Sequence, residues 1–130
     1  MRNFRDLEVW TQSHQLTLDL YRTTAAFPNT EKFGITSQIR RAAASIPANL
    51  SEGCGRWSDG EMARFIQIAM GSASELDYFL LLATDLDYIG QEEYQKLVSR
   101  LNRVRRMLTG LFKSLKESLN LTANKKSNRT

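Results

Sequence analysis

One cysteine, one histidine and two prolines are all that this chain of 130 residues holds of those types. A lone cysteine, Cys54, excludes an internal disulfide and any zinc site built from several thiolates. A lone histidine, His14, cannot supply the Glu-x-x-His pair that a di-iron helical bundle needs from two of its helices. No apolar run approaches the roughly 20 residues needed to cross a bilayer. The opening MRNFRDLEVW has charges where a secretion signal needs apolar residues, so the expected location is cytoplasmic. Asn49-Leu-Ser51, Asn120-Leu-Thr122 and Asn128-Arg-Thr130 fit the glycosylation pattern, but without a secretion signal they read as coincidence.

Catalytic signatures are equally scarce. No Walker loop occurs, and Gly53-Cys-Gly55-Arg-Trp-Ser58 is only a glance at a dinucleotide fingerprint. It has no preceding strand, and serine stands where the third glycine belongs. Cys54 falls near a helix C-terminus, where the dipole disfavours a thiolate. His14 lies on an apolar stripe and reads as a packing or interface residue rather than a base. Asp85, Asp87, Glu92 and Glu93 flank a loop as solvating carboxylates. The chain is therefore expected to be no enzyme, with no metal and no cofactor.

What the sequence does have is helical periodicity almost throughout. Its length suits one domain with a single core, expected over residues 1–119, with a polar basic tail at 120–130 that frays. The first helix spans about Asn3 to Ala26 and stops at Phe27-Pro28. It carries two apolar stripes, one through Leu7, Trp10, His14, Leu18 and Tyr21, the other through Val9, Leu16, Leu20 and Phe27. A helix in a monomeric bundle needs one stripe, so two favour an oligomer. The second helix starts between Thr30 and Thr36 and runs to about Arg56. Ile35, Ile39, Ala42, Ile46 and Leu50 keep helical spacing across Pro47, so Pro47 reads as a kink that strips the Ala43 carbonyl of its donor. A break into two helices is the alternative. The third helix begins at a capping box, Ser58-Asp-Gly-Glu61, and is expected to stop at Gly90. The fourth repeats Tyr94, Leu97, Leu101, Val104, Leu108, Leu111 and Leu115 at spacings of three and four. An all-α, antiparallel up-down-up-down four-helix bundle, oligomeric, is the expected fold.

Folding helices two and three as a hairpin brings the small patch Ala42–Ser45 against Met70–Ala73. The same register sets Arg41 against Glu75 and Glu52 against Arg64, two opposite-sign pairs read as structural ion pairs that fix register. Arg105 is the competing partner for Glu75. Between helices three and four the facing pairs are apolar, among them Leu76 with Val104 and Phe65 with Leu115.

Net charge is +4, unevenly placed: residues 61–90 hold one basic and five acidic side chains, residues 91–130 ten basic and three acidic. Arg100, Arg103, Arg105, Arg106, Lys113 and Lys116 lie off the apolar stripe of helix four, and Arg40 and Arg56 join them from helix two. These eight are the candidate phosphate contacts, with arginine suited to bidentate binding. No aromatics interleave with them, so base stacking is not indicated.

Several runs resemble a known family: Phe27-Pro28, Glu31-x-x-Gly34-Ile35-x-x-Gln38-Ile39-Arg40-Arg41-Ala42, Ser45-Ile46-Pro47-Ala48-Asn49-Leu50-Ser51-Glu52-Gly53, and Ala69-x-Gly71-Ser72-x-x-Glu75-Leu76. They resemble the four-helix-bundle 23S rRNA intervening-sequence proteins over about residues 4–118. The accessory variability protein of diversity-generating retroelements looks like a branch of the same family. The resemblance implies an up-down bundle assembled as a homopentamer, without known enzymatic activity, that contacts nucleic acid. In the retroelement branch it also implies a reverse transcriptase as partner. The expected function is thus a homo-oligomeric bundle that binds RNA or DNA through basic surfaces, and the alternative is a scaffold for a protein such as a reverse transcriptase. No membrane contact is expected.

Overall fold

The computed structural model describes residues 2–128; the last two residues of the expected tail lie outside them. Among the described residues there are four α-helices, two short 3-10 turns and no strand. The helices are α1 (Glu8–Thr24), α2 (Ile35–Cys54), α3 (Asp59–Asp85) and α4 (Gln91–Asn128). The turns are Phe4–Asp6 and Asn29–Glu31. Contacts join α1 to α2, α2 to α3, α3 to α4 and α4 to α1, while among the described residues no contacts join the diagonal pairs. That pattern is a four-helix bundle around one core.

The first helix starts later than its periodicity suggests. The Asn3 side chain accepts a hydrogen bond from the Arg5 N–H at 3.0 Å, which closes a separate 3-10 turn, and Leu7 is extended. Of the two stripes on α1, Val9, Leu16, Leu20 and, just beyond the helix, Phe27 form the core face. Leu7, Trp10, His14 and Leu18 are half-buried and Tyr21 is 44% exposed, so that stripe looks outward.

Pro47 lies inside a continuous α2. The carbonyl it orphans is not left bare. Thr17 of α1 donates its hydroxyl proton to the Ala43 carbonyl at 3.1 Å, shared with its own Ser13 carbonyl at 2.8 Å. Thr17 and Ala43 are both buried, where an unpaired carbonyl is costly. A sequence feature of α2 is therefore answered by a side chain of α1.

Helices α2 and α3 meet through small residues. Ala42, Ala43, Ala69 and Ala73 are all buried, and the hydroxyls of Ser45 and Ser72 bond at 2.8 Å. Gly53 suits this approach, since a Cβ there would lie 3.1 Å from the Cβ of Phe65, a tight contact that would push the two helices slightly apart. Ser58 caps α3 by accepting from the Glu61 N–H at 3.2 Å. The Glu61 carboxylate meets the Ser58 hydroxyl at 3.5 Å rather than the backbone N–H that a full capping box would use.

The end of α3 differs from expectation. The helix stops at Asp85, and Asp87 takes the left-handed conformation at φ 64°. The Tyr88 N–H reaches back to the Ala83 carbonyl at 2.9 Å and the Asp87 N–H to that of Thr84 at 3.0 Å. This is a Schellman motif with aspartate in the position usually given to glycine. Gly90 instead opens α4, its carbonyl accepting from the Tyr94 N–H at 2.9 Å. Leu97, Leu101, Val104, Leu108 and Leu115 of α4 are buried, and the helix runs past Leu119 to Asn128.

Replacing Thr17 by valine removes the donor and keeps the shape, so Thr17→Val should lower stability by about 1–3 kcal/mol. In a Pro47→Ala background the restored N–H can serve Ala43, and the same change should then cost under about 1 kcal/mol. Urea melts of the four chains measure this coupling; equal losses in both backgrounds contradict the carbonyl's dependence on Thr17.

Candidate nucleic-acid interface

Four of the eight candidate cations are occupied inside the chain. Arg40 donates to the Thr24 hydroxyl at 2.8 Å and to the Tyr21 carbonyl at 3.1 Å, with its guanidinium 4.7 Å from the Tyr21 ring centre. It closes the C-terminal end of α1, as a cation near free carbonyls does. Arg56 pairs with Glu52 at 2.6 Å and lies 4.9 Å from the Phe65 ring. Arg100 reaches from α4 to Asp19 of α1 at 2.7 Å. Arg105 reaches from α4 to α3, meeting Asp77 at 2.9 Å and the Ser74 hydroxyl at 3.2 Å.

The other four are exposed and have no carboxylate partner among the described residues: Arg103, Arg106, Lys113 and Lys116, the last lying 5.6 Å from the Phe112 ring. At 100° per residue they share one arc of α4, and at 1.5 Å per residue they span about 20 Å of its length. A shallow cleft of about 330 Å³ lined by Asn102, Arg105, Arg106 and Thr109 adjoins this row. The arrangement presents charge and hydrogen-bond donors along a line, without an aromatic platform.

Neither structural ion pair expected between α2 and α3 forms. Glu52 takes Arg56, one turn away on its own helix, in place of Arg64. Arg41 and Glu75 line one cleft with Gln38, Ser45 and Ser72, yet no bond joins them, and Arg105 is held by Asp77 instead of Glu75. The physical reason is exposure. Close approach through alanine and serine leaves the long charged side chains at the rim, where solvent and local partners compete on equal terms.

A second surface lies between α1 and α2. Trp10, His14, Leu18 and Tyr21 form one wall, and Ala44, Pro47, Ala48 and Ser51 form the floor of an open groove of about 390 Å³. His14 stacks on Trp10 with ring centres 4.9 Å apart and planes at 14°. The Trp10 indole donates to the Ser51 hydroxyl at 3.1 Å, and Ser51 donates to the Pro47 carbonyl at 2.9 Å. The sequence assigned His14 to packing or an interface, and it stands in this groove. Cys54 is buried, and burial pushes its thiol above the ordinary range. Among the described residues no group of three or more His, Cys, Asp or Glu side chains could hold a metal ion. Among them, too, no helix is long and apolar enough to cross a membrane.

These features define an all-α four-helix bundle with one free cationic row and one apolar groove. The family of 23S rRNA-intervening sequence proteins matches over residues 5–110, and the chain belongs to that family. Among solved structures it is similar to a protein of unknown function from the S23 ribosomal protein family of Bacteroides thetaiotaomicron. The TM-score is 0.75 at 25% identity, covering 81% of this chain and 95% of that one. No curated protein matches the chain.

The Arg100 hydrogen bond holds the Asp19 carboxyl below its usual range against the opposing effect of burial, and Arg22 at 2.8 Å assists. A depressed pKa means the pair stabilises the fold above the unfolded value and that this contribution is lost as pH falls through the folded one. Both side chains are more than a third exposed, at 38% and 39%, so the contribution is discounted to at most about 1 kcal/mol. Asp19→Asn should therefore lower the melting temperature slightly at neutral pH, with the difference shrinking as pH falls through the depressed pKa of the Asp19 carboxyl. A constant difference from pH 7 to pH 2.5 contradicts the ion pair.

Proposed function

We propose that the protein is a non-enzymatic, antiparallel bundle that assembles with copies of itself and binds the phosphate backbone of nucleic acid through α4. The order of cross-helix bonds supports the topology. Arg105 meets Asp77 and Ser118 meets Asp59, so partners on α3 fall in number as those on α4 rise. Thr17 with Ala43 and Trp10 with Ser51 follow the same rule between α1 and α2. Self-assembly is supported by the outward apolar stripe of α1. The family resemblance suggests a pentamer, and five copies of a +4 chain would carry a formal charge of 5 × 4 = +20.

The observation that carries the nucleic-acid reading is the single arc of Arg103, Arg106, Lys113 and Lys116, four cations unspent on internal carboxylates among the described residues. Exposed cations of one sign along about 20 Å suit successive phosphates and displace condensed counterions. The name of the family refers to 23S rRNA, which favours RNA as the first ligand to test. With no stacking residue in the row, recognition is electrostatic and salt-sensitive rather than base-specific.

Fluorescence anisotropy with a structured RNA measures this. The protein should bind at about 50 mM salt and weaken steeply towards 200 mM. Reversing Arg103, Arg106, Lys113 and Lys116 to glutamate should cost at least about tenfold in affinity and flatten the salt slope, with helicity unchanged. No binding by the unaltered protein at the lower salt, or equal binding by the variant, defeats the proposal.

A further inference from the structure

We infer that the α1–α2 groove receives the outward face of α3 from a second copy of this chain; this rests on the self-assembly reading above and specifies its contact. Ile68, Gly71, Glu75 and Tyr78 recur at spacings of three and four, so they share one face of α3. All four are exposed, Ile68 by 43% and Tyr78 by 57%. A Cβ at Gly71 would meet nothing within 4 Å, so the chain itself leaves space there. The face is a pair of apolar knobs with a low point between them. The groove offers the converse, a floor of alanine, proline and serine beneath an aromatic wall.

The two surfaces also stand at the same height in the bundle. Ser45 meets Ser72, and both helices rise equally per residue, so Ala48 in the groove is level with Ile68 and Ala69. Arg40, against Tyr21 at the other end of the groove, is level with Asp77 and Tyr78. Rotation about an axis parallel to the helices preserves height. It sets a copy's Ile68 over Ala48 and its Tyr78 beside Tyr21.

Charge agrees at both ends. Arg40 bonds only neutral oxygens within its own chain, and Glu75 makes no ion pair there among the described residues, although Arg41 lines the same cleft. The copy's Glu75 comes within a turn of Arg40. Below, Arg64 of the copy, also without a partner among the described residues of its chain, comes level with the exposed Glu52, whose carboxylate already meets Arg56 and would be shared between the two arginines. Opposite signs thus meet at each end, and a copy inverted end to end would bring Arg64 to Arg40 instead. Because groove and α3 face are different surfaces, the contact is head-to-tail and closes into a ring when the rotation permits.

Light scattering during gel filtration tests the contact with Ala48→Arg and Gly71→Arg. Both positions are exposed, and replacing glycine within a helix favours the helix, so neither change should unfold the chain. The unaltered protein should run as a multimer and each variant as a monomer with unchanged helical circular dichroism. Mixing Ala48→Cys with Gly71→Cys chains under mild oxidation should give a covalent dimer that neither yields alone, the native Cys54 being buried. Multimers retained by either arginine variant, or no cross-link, overturn the α3–groove contact while leaving self-assembly standing. A monomeric unaltered protein, whatever else fills its groove, overturns both.

Discussion

The close approach of α2 to α3 is the constraint on which the rest of the molecule depends. It rests on alanines at 42, 43, 69 and 73, on a glycine at 53 where a Cβ would fit only tightly, and on a hydroxyl pair at Ser45 and Ser72. Bulk at this seam would separate the helices and open a void, since interiors tolerate little volume change. With α3 so near, α2 turns its other side to α1, and Thr17 covers the carbonyl that Pro47 leaves without a donor. The proline ring and its alanine neighbours then become the floor of the outward groove. One packing requirement thus links the core to the surface.

The charged residues sort by the same geometry. Cations on α4 that face a neighbouring helix are tethered, Arg100 to Asp19 and Arg105 to Asp77, and so join α4 to both flanking helices. Of the cations turned away from those neighbours, Lys96 pairs with Glu92 one turn away, while Arg103, Arg106, Lys113 and Lys116 have no carboxylate among the described residues and form an exposed row. The cations of α4 between residues 96 and 116 are therefore not one population: some are bonded within the chain and some are not. Net charge could not separate them, because separation depends on which carboxylates the fold brings within reach.

Much of the fold is legible in the order of the residues alone. The period of 3–4 in α4 marks the buried Leu97, Leu101, Val104, Leu108 and Leu115, and Ser58 marks the start of α3. The continuity of α2 through Pro47 follows from unbroken apolar spacing on both sides of it. Less legible is whatever several elements decide together. Asp87 in a left-handed turn carries only a weak local signal, whereas Gly90 carries a strong and misleading one. Partners for Glu52, Arg41 and Glu75 depend on exposure at a rim, which periodicity does not report. The candidate site is half visible: its residue types can be named, but the internal bonds of Arg40, Arg56, Arg100 and Arg105 cannot. Two stripes on α1 are plain, yet only packing tells core from groove.

Native-state hydrogen exchange followed residue by residue tests the central claim most directly. If the α2–α3 seam organises the bundle, amides at 42–46 and 69–73 open only with global unfolding and share its free energy, while helix ends open earlier. Exchange at the seam faster than in the middle of α4 would contradict that account and place the organising contact elsewhere.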